Sequence, residues 1–230
     1  MNVLVIDTET ANSIEQPMPY DVGYAIVDTE TGEILVERSF VVAEIFLDKE
    51  LMSSAYFAEK VPQYWEGIKN GTRVMKSICN IRKQIFADMK KYHVSKVGAY
   101  NMGFDNRATK NDIRYISGSM MRWFFPYGTK LFCIWNMACT SILNTESFVR
   151  FALDNGFVSP CGNVQTSAEV AYRYLTNQTD FVESHTGLED VKIEVAIMLA
   201  VLRSEMEYSD KINSGCWQKV QKIRRAVCGI

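Results

Sequence analysis

A chain of 230 residues with 47% apolar side chains is long enough for one α/β domain with a sizeable core. A formal net charge of −2 argues against a nucleic-acid coat protein working through bulk charge, but not against an enzyme that grips a short strand with a local basic patch. Cys79, Cys133, Cys139, Cys161, Cys216 and Cys228 contain no CxxC pair and have only His93 and His185 beside them, which argues against a zinc site. They read as reduced core residues of a cytoplasmic protein. No apolar run is long enough to span a bilayer, and the N-terminus lacks the basic start of a secretory signal.

Val3 to Ile6 is a short apolar run, the pattern of a buried central strand. Val22 to Val27 and Ile34 to Val42 are the second and third strands, joined by the polar, glycine-containing turn from Asp28 to Glu33. The segment Ile45 to Met75 has turn signals at Pro62 and Asn70-Gly71 but no clear periodicity. Its Tyr56, Phe57, Tyr64 and Trp65 are expected in the core, with a lid or a partner surface as the other reading. Ile78, Ile81, Ile85 and Met89 recur at helical spacing, followed by a strand from Val97 to Tyr100 and a helix from about Asp105 to Ile116. A fifth strand, Leu131 to Ile134, precedes one helix through Met137 to Leu153.

Thr166 to Glu169 and Thr186 to Glu189 both have the capping-box pattern, each opening a further helix. The segment Lys211 to Arg225 is basic and reads as one more short helix. Three antiparallel strands followed by strand–helix alternation predict an α/β fold: a five-stranded mixed sheet with helices on both faces. The expected layout is a main domain over 1–208, with 44–75 as an insertion, and a basic tail or helix over 209–230.

Three acidic clusters fall where such a sheet places a site. Asp7-Thr8-Glu9 ends the first strand, and residues two apart on a strand share a face. Asn101-Met102-Gly103-Phe104-Asp105 follows the fourth strand, with Gly103 expected to give a tight turn and Asp105 at the helix start. His185 precedes a helix whose first turns hold Asp190. Taken singly each is weak, since acidic residues in a first helical turn are common for capping reasons. Asp-Thr-Glu-Thr even occurs twice, at Asp7 to Thr10 and at Asp28 to Thr31. Strands on both sides and Gly32 assign the second copy to the hairpin.

In this order and spacing the clusters resemble the DEDDh (DnaQ-like) family of 3′→5′ exonucleases, within the RNase H-like superfamily. Asp7 and Glu9 match its Asp-x-Glu, Asn101, Phe104 and Asp105 its Asn-x-x-Phe-Asp, and His185 and Asp190 its His-x4-Asp. The match runs from about Asn2 to Leu202. Where members often carry Asp-Thr at the end of the fifth strand, this chain has Cys133-Ile134. That position is not a metal ligand in the family.

The resemblance implies a phosphodiester hydrolase with two divalent ions, Mg²⁺ or Mn²⁺, about 3.5–4 Å apart, which suit oxygen ligands. Asp7 would bridge the ions, Glu9 and Asp190 would complete the site of the attacking water, and Asp105 would serve the other ion. His185 would be the general base, a task suited to an unperturbed imidazole pKa of roughly 6.5. Phe104 would stack on a terminal base, Asn101 would hold the backbone or sugar, and Thr10 and Ala11 would meet the terminal nucleotide through backbone groups. Arg107, Lys110 and the basic tail are candidates for steering phosphates toward the site, against the plainer reading of ordinary solvated helix faces. The implied partners are single-stranded DNA or RNA 3′ ends, a polymerase or other replication or repair protein, and a second copy of the chain. The competing reading is an inactive nucleic-acid-binding or polymerase-associated module of the same fold.

Overall fold

A computed structural model describes residues 1–118, 120 and 123–229. The N-terminal meander follows from its apolar patterning: Val3 to Ile6 are buried in β1 (Asn2–Ala11), and β2 (Met18–Asp28) is buried over nearly its whole length. A β2 strand covered on both sides needs apolar residues along its buried length, and among its buried residues Asp21 breaks that rule with a charge. β3 (Ile34–Val42) completes the antiparallel set. Between β2 and β3, Asp28 N–H donates to Glu33 O at 3.0 Å and Gly32 adopts a φ of 79°, so the expected hairpin turn forms where the glycine permits it.

The segment after β3 is ordered rather than a plain loop. It holds the short helices α1 (Ala43–Phe46) and α2 (Lys49–Met52), a 3₁₀ turn at Ala58–Lys60, and α3 (Val61–Asn70). Gly71, with a φ of 78°, ends α3 and turns the chain into β4 (Val74–Lys76), which pairs in parallel with β3. This strand corrects the five-stranded expectation. The sheet has six strands in the order β4-β3-β2-β1-β5-β6 and is mixed, with β5 at Lys96–Ala99 and β6 at Lys130–Cys133. Three residues are too short to show an alternating pattern, which is why β4 left no mark in the sequence. Of the four aromatics expected in the core, Tyr64 is fully buried, whereas Tyr56 and Trp65 are exposed.

α4 (Ile78–Lys91) buries Ile78, Ile81, Ile85 and Met89, the predicted stripe. α5 (Met102–Ser117) begins earlier than expected and takes in the second motif. Gly103 therefore lies inside a helix instead of forming a turn, and what its missing Cβ allows is the approach of Ile212, whose Cγ2 would stand 3.2 Å from it. The long helix expected from Met137 to Leu153 is two, α6 (Ile134–Thr140) and α7 (Glu146–Asp154), broken at Ser141. Thr145 starts the second one by accepting a hydrogen bond from Phe148 N–H. α8 (Ala168–Thr176) is capped by Ser167, not by Thr166. Glu169, the expected capping partner, instead pairs with Arg173 and accepts from Glu183 N–H. α9 is Gly187–Arg203 and α10 is Trp217–Cys228. Of the six cysteines, Cys133, Cys139 and Cys216 are buried and the other three are exposed.

The chain divides into two compact units. The first comprises Met1–Val97, Phe104–Lys130 and Ser184–Val191; the second comprises Gly98–Gly103, Leu131–Glu183 and Lys192–Ile230. In the second unit the α10 side chain of Gln221 is buried and imitates a strand neighbour, accepting from Val164 N–H at 3.0 Å and donating to Val164 O at 2.9 Å. Among the described residues no helix is long and apolar enough to cross a membrane.

Candidate active site

Asp7 and Glu9 leave β1 on one face, opposite Gly23 and Asp21 of β2 in register. The register shifts between Glu9 and Thr10, an irregularity of the kind that re-aims side chains beside sites. Glu9 is buried and Asp7 half-buried. A carboxylate that leaves water needs a partner or a cation in compensation.

The third motif reaches this strand through a contact between two glycines. A Cβ on Gly23 would fall 2.2 Å from Gly187 C and Leu188 N, and one on Gly187 would fall 2.7 Å from Gly23 N. No side chain fits there, so the start of α9 rests directly on β2. Gly187 N–H donates to Asp21 Oδ2 at 2.8 Å. Asp190 then falls in the first turn of α9, where the helix dipole favours an anion, and Ser184 Oγ donates to its Oδ1 at 3.3 Å. Thr186 and Glu189 do not form the expected reciprocal box. Thr186 Oγ1 donates to the Glu189 carboxylate, and that carboxylate also accepts from Arg73 at 3.0 Å. His185 sits at a φ of 52°, a left-handed conformation that histidine tolerates better than a β-branched residue. Phe57 stacks on its ring, with centroids 4.1 Å apart and planes within 10°.

Glu9, His185 and Asp190 consequently converge: each offers one ligand atom, and these atoms all lie within 4.8 Å of one another. The two carboxylates offer the oxygen ligands that a hard divalent cation takes, and the imidazole stands within reach of whatever they hold. Asp105 lies outside this trio. It is buried on α5, and its Oδ1 accepts from Thr8 Oγ1 at 2.8 Å, which ties it to the residue between Asp7 and Glu9. Burial pushes its carboxyl up to about 7, against the Thr8 hydrogen bond that pulls it down. A carboxyl poised near neutrality in a dry setting is one that a cation would ionise. Asp7 is likewise outside the trio, two strand positions from Glu9.

The predicted substrate residues are placed as follows. Thr10 is half-buried and its carbonyl accepts from Tyr56 N–H at 3.4 Å, while Ala11 is fully buried. Phe104 is half-buried, with the Arg107 guanidinium 5.4 Å from its ring centroid. Arg107 also donates to Ile14 O at 3.2 Å, so it is engaged within the protein. Lys110 lies 6.0 Å from the ring centroid of Trp123, which is itself exposed. Asn101 is exposed and belongs to the second unit.

The sequence pattern gives no site role to Thr8, Asp21, Gly23 or Arg73, and it sets Phe57 and Tyr64 among the aromatics expected in the core. Two of them carried a signal: a lone aspartate and a lone glycine inside an apolar strand mark a buried partner and a close backbone approach. Arg73, in a polar turn, carried none.

No protein-family profile matches the chain, and no curated protein matches it either. Solved structures do. The nuclease domain of 3′hExo, a DEDDh family member, bound to rAMP, gives a TM-score of 0.55 at 15% identity, with 91% of this chain and 96% of that one covered. A full-length 3′-exonuclease gives 0.55 at 16% identity, covering 93% and 88%. The zinc-bound complex of E. coli ExoI with single-stranded DNA gives 0.51 at 14% identity, covering 89% of this chain and 41% of that one. The fold is that of the DEDDh 3′-exonucleases. It is a mixed sheet with helices. At such identities the likeness speaks for the backbone, and the chemistry rests on the side chains described above.

Proposed function

We propose that the chain is a two-metal-dependent 3′→5′ exonuclease that shortens single-stranded DNA or RNA and releases nucleoside 5′-monophosphates. The observation that carries this reading is the convergence of Glu9, His185 and Asp190, from distant parts of the sequence, within 4.8 Å. Asp7, Glu9, Asp105 and Asp190 would hold Mg²⁺ or Mn²⁺, whose chemistry when bound is to acidify a water and neutralise charge on a phosphate. The chain's own contribution is placement and proton traffic. His185 takes the proton of the attacking water, and the Phe57 ring beneath it limits how far the imidazole can swing. Thr8 fixes the orientation of Asp105. Phe104 offers a face on which a terminal base stacks without regard to sequence, and Asn101, Thr10 and Ala11 are the further substrate contacts in this reading.

The rival, an inactive binding module of the same fold, is disfavoured because all five positions keep residues competent for the chemistry. The deciding experiment follows 5′-labelled single-stranded DNA and RNA with Mn²⁺ or Mg²⁺ present. Wild type should give a ladder shortening from the 3′ end. Asp7→Ala and His185→Ala should lose it, and Asp28→Ala, in the hairpin, should keep it. Mn²⁺ binding without cleavage of either polymer would favour the inactive module.

A further inference from the structure

The segment between β3 and α4 lends the proposal above only the Phe57 ring, yet it also supplies the one buried cation near the third motif among the described residues. α3 prepares the place for it. Gly67 leaves room for the Arg73 stem, since a Cβ there would lie 2.9 Å from Arg73 Cδ, and Arg73 N–H donates to Gly67 O at 3.0 Å. The guanidinium lies 4.6 Å from the ring centroid of Tyr64 and its side chain is only 8% exposed.

From there it reaches three elements, β2, β3 and α9. Nη1 donates to Asp21 Oδ2 at 3.2 Å and to Ser39 Oγ at 2.9 Å, and Nη2 donates to Glu189 Oε2 at 3.0 Å. The same Asp21 oxygen accepts from Tyr64 Oη and from Gly187 N–H, both at 2.8 Å. Asp21 is fully buried and stands opposite Glu9 in the β1–β2 register. One carboxylate oxygen thus joins the strand position facing Glu9 to the first residue of the helix that carries Asp190. Arg73 neutralises that carboxylate and holds the helix by a second arm.

We propose that Arg73, acting through Asp21 and Glu189 with Tyr64, is the positioning residue of the third motif: it fixes where α9 begins, and so whether His185 and Asp190 meet Glu9. This rests on the exonuclease reading. A mere fold clip would not need a buried charge here, because the two glycines already pack the helix on the strand. A fixed charge-assisted bond sets the helix start to a fraction of an ångström, the tolerance that metal ligation and near-attack geometry demand.

The test uses the full chain with Arg73→Met, Arg73→Lys, Tyr64→Phe and Glu189→Gln. Four quantities are read: melting, Mn²⁺ affinity by calorimetry, kcat and KM on a single-stranded oligonucleotide, and deuterium exchange of the Gly187 amide. In folded Arg73→Met, kcat and Mn²⁺ affinity should each fall by about 10- to 100-fold, the usual effect of losing a residue that orients metal ligands. KM should stay within about twofold, the Gly187 amide should exchange faster, and Arg73→Lys should recover part of each loss. Should Arg73→Met fail to fold, Tyr64→Phe and Glu189→Gln must move Mn²⁺ affinity and Gly187 exchange in the same direction by smaller factors. Folded variants with wild-type metal affinity and exchange would overturn the proposal. If wild type cleaves neither polymer, the exonuclease reading fails by itself. The anchor is then decided by exchange and Mn²⁺ affinity: loss of both in Arg73→Met supports it, and no change overturns it.

Discussion

Asp7-Thr8-Glu9-Thr10 and Asp28-Thr29-Glu30-Thr31 are the same four residues in opposite circumstances. In the first copy Thr8 and Glu9 are buried within β1, Thr8 holds Asp105, and Glu9 meets His185 and Asp190. In the second copy Asp28 Oδ1 accepts from Glu30 N–H at 2.9 Å, both acids pair with the terminal amine of Met1, and Thr31 Oγ1 accepts from Glu33 N–H. One copy turns its polar atoms outward to another motif, and the other spends them locally on a turn. The difference lies in register and cover. β1 is flanked by β2 and β5, whereas the second copy ends a strand where Gly32 can reverse the chain. Identical side chains join a buried cluster or form a turn according to what faces them.

Three measurements would break or sharpen that contrast, and the largest effect is expected on catalysis. Glu9→Ala should reduce cleavage by roughly 10³-fold or more, the value of the several kcal/mol that metal-assisted charge stabilisation supplies. Glu30→Ala should leave the rate within about twofold. Equal losses would show that Glu9 is no ligand.

The next effect is steric. Gly23→Ala forces a Cβ to 2.2 Å from the α9 backbone, so it should cost about 3 kcal/mol or more by denaturant unfolding and lower activity with it. Gly32→Ala strains only a left-handed turn and should cost about 1 kcal/mol, with cleavage kept. A fully stable and active Gly23→Ala would refute the glycine contact.

The smallest effect is in the pH dependence of stability, where the two regions should differ in sign. Burial raises Asp105 to about 7, so the fold favours its protonated form. That contribution is complete below the unfolded value and is lost as pH rises toward 7. Asp105→Asn keeps an acceptor for Thr8 and cannot ionise, so it should stabilise the metal-free protein at pH 8, on the order of 2 kcal/mol, while abolishing cleavage. Asp28 is the reverse. Backbone donation from Glu30, with the Met1 amine, holds its carboxyl below the ordinary range. Its contribution is present at neutral pH and lost as pH falls through that lowered value. Asp28→Asn should therefore lower the melting temperature slightly at pH 7 and match wild type in strong acid. Melting curves of both variants between pH 3 and pH 8 check the signs. A shift of the same sign in both would remove the contrast.

The sequence by itself determined the elements whose signal is periodic or local. These are the meander, the α4 stripe, the hairpin at Asp28 to Glu33 and the placement of His185 just before a helix that carries Asp190. Apolar alternation and turn chemistry act between near neighbours, so they can be read without coordinates. Elements too short to show a period were illegible, as β4 shows, and so was the break at Ser141, where no glycine or proline marks the stop. The five candidate site residues came forward through the family resemblance that their order and spacing carry. The tertiary structure decided which of them meet: Glu9, His185 and Asp190 converge because Gly23 and Gly187 touch and Asp21 seizes the helix start. It also decided that Arg73 and Phe57, from a segment with no readable pattern, lie against the third motif. Contacts between residues more than a hundred positions apart depend on the cost and reward of closing the whole chain, and that balance is written in packing rather than in any local run of residues.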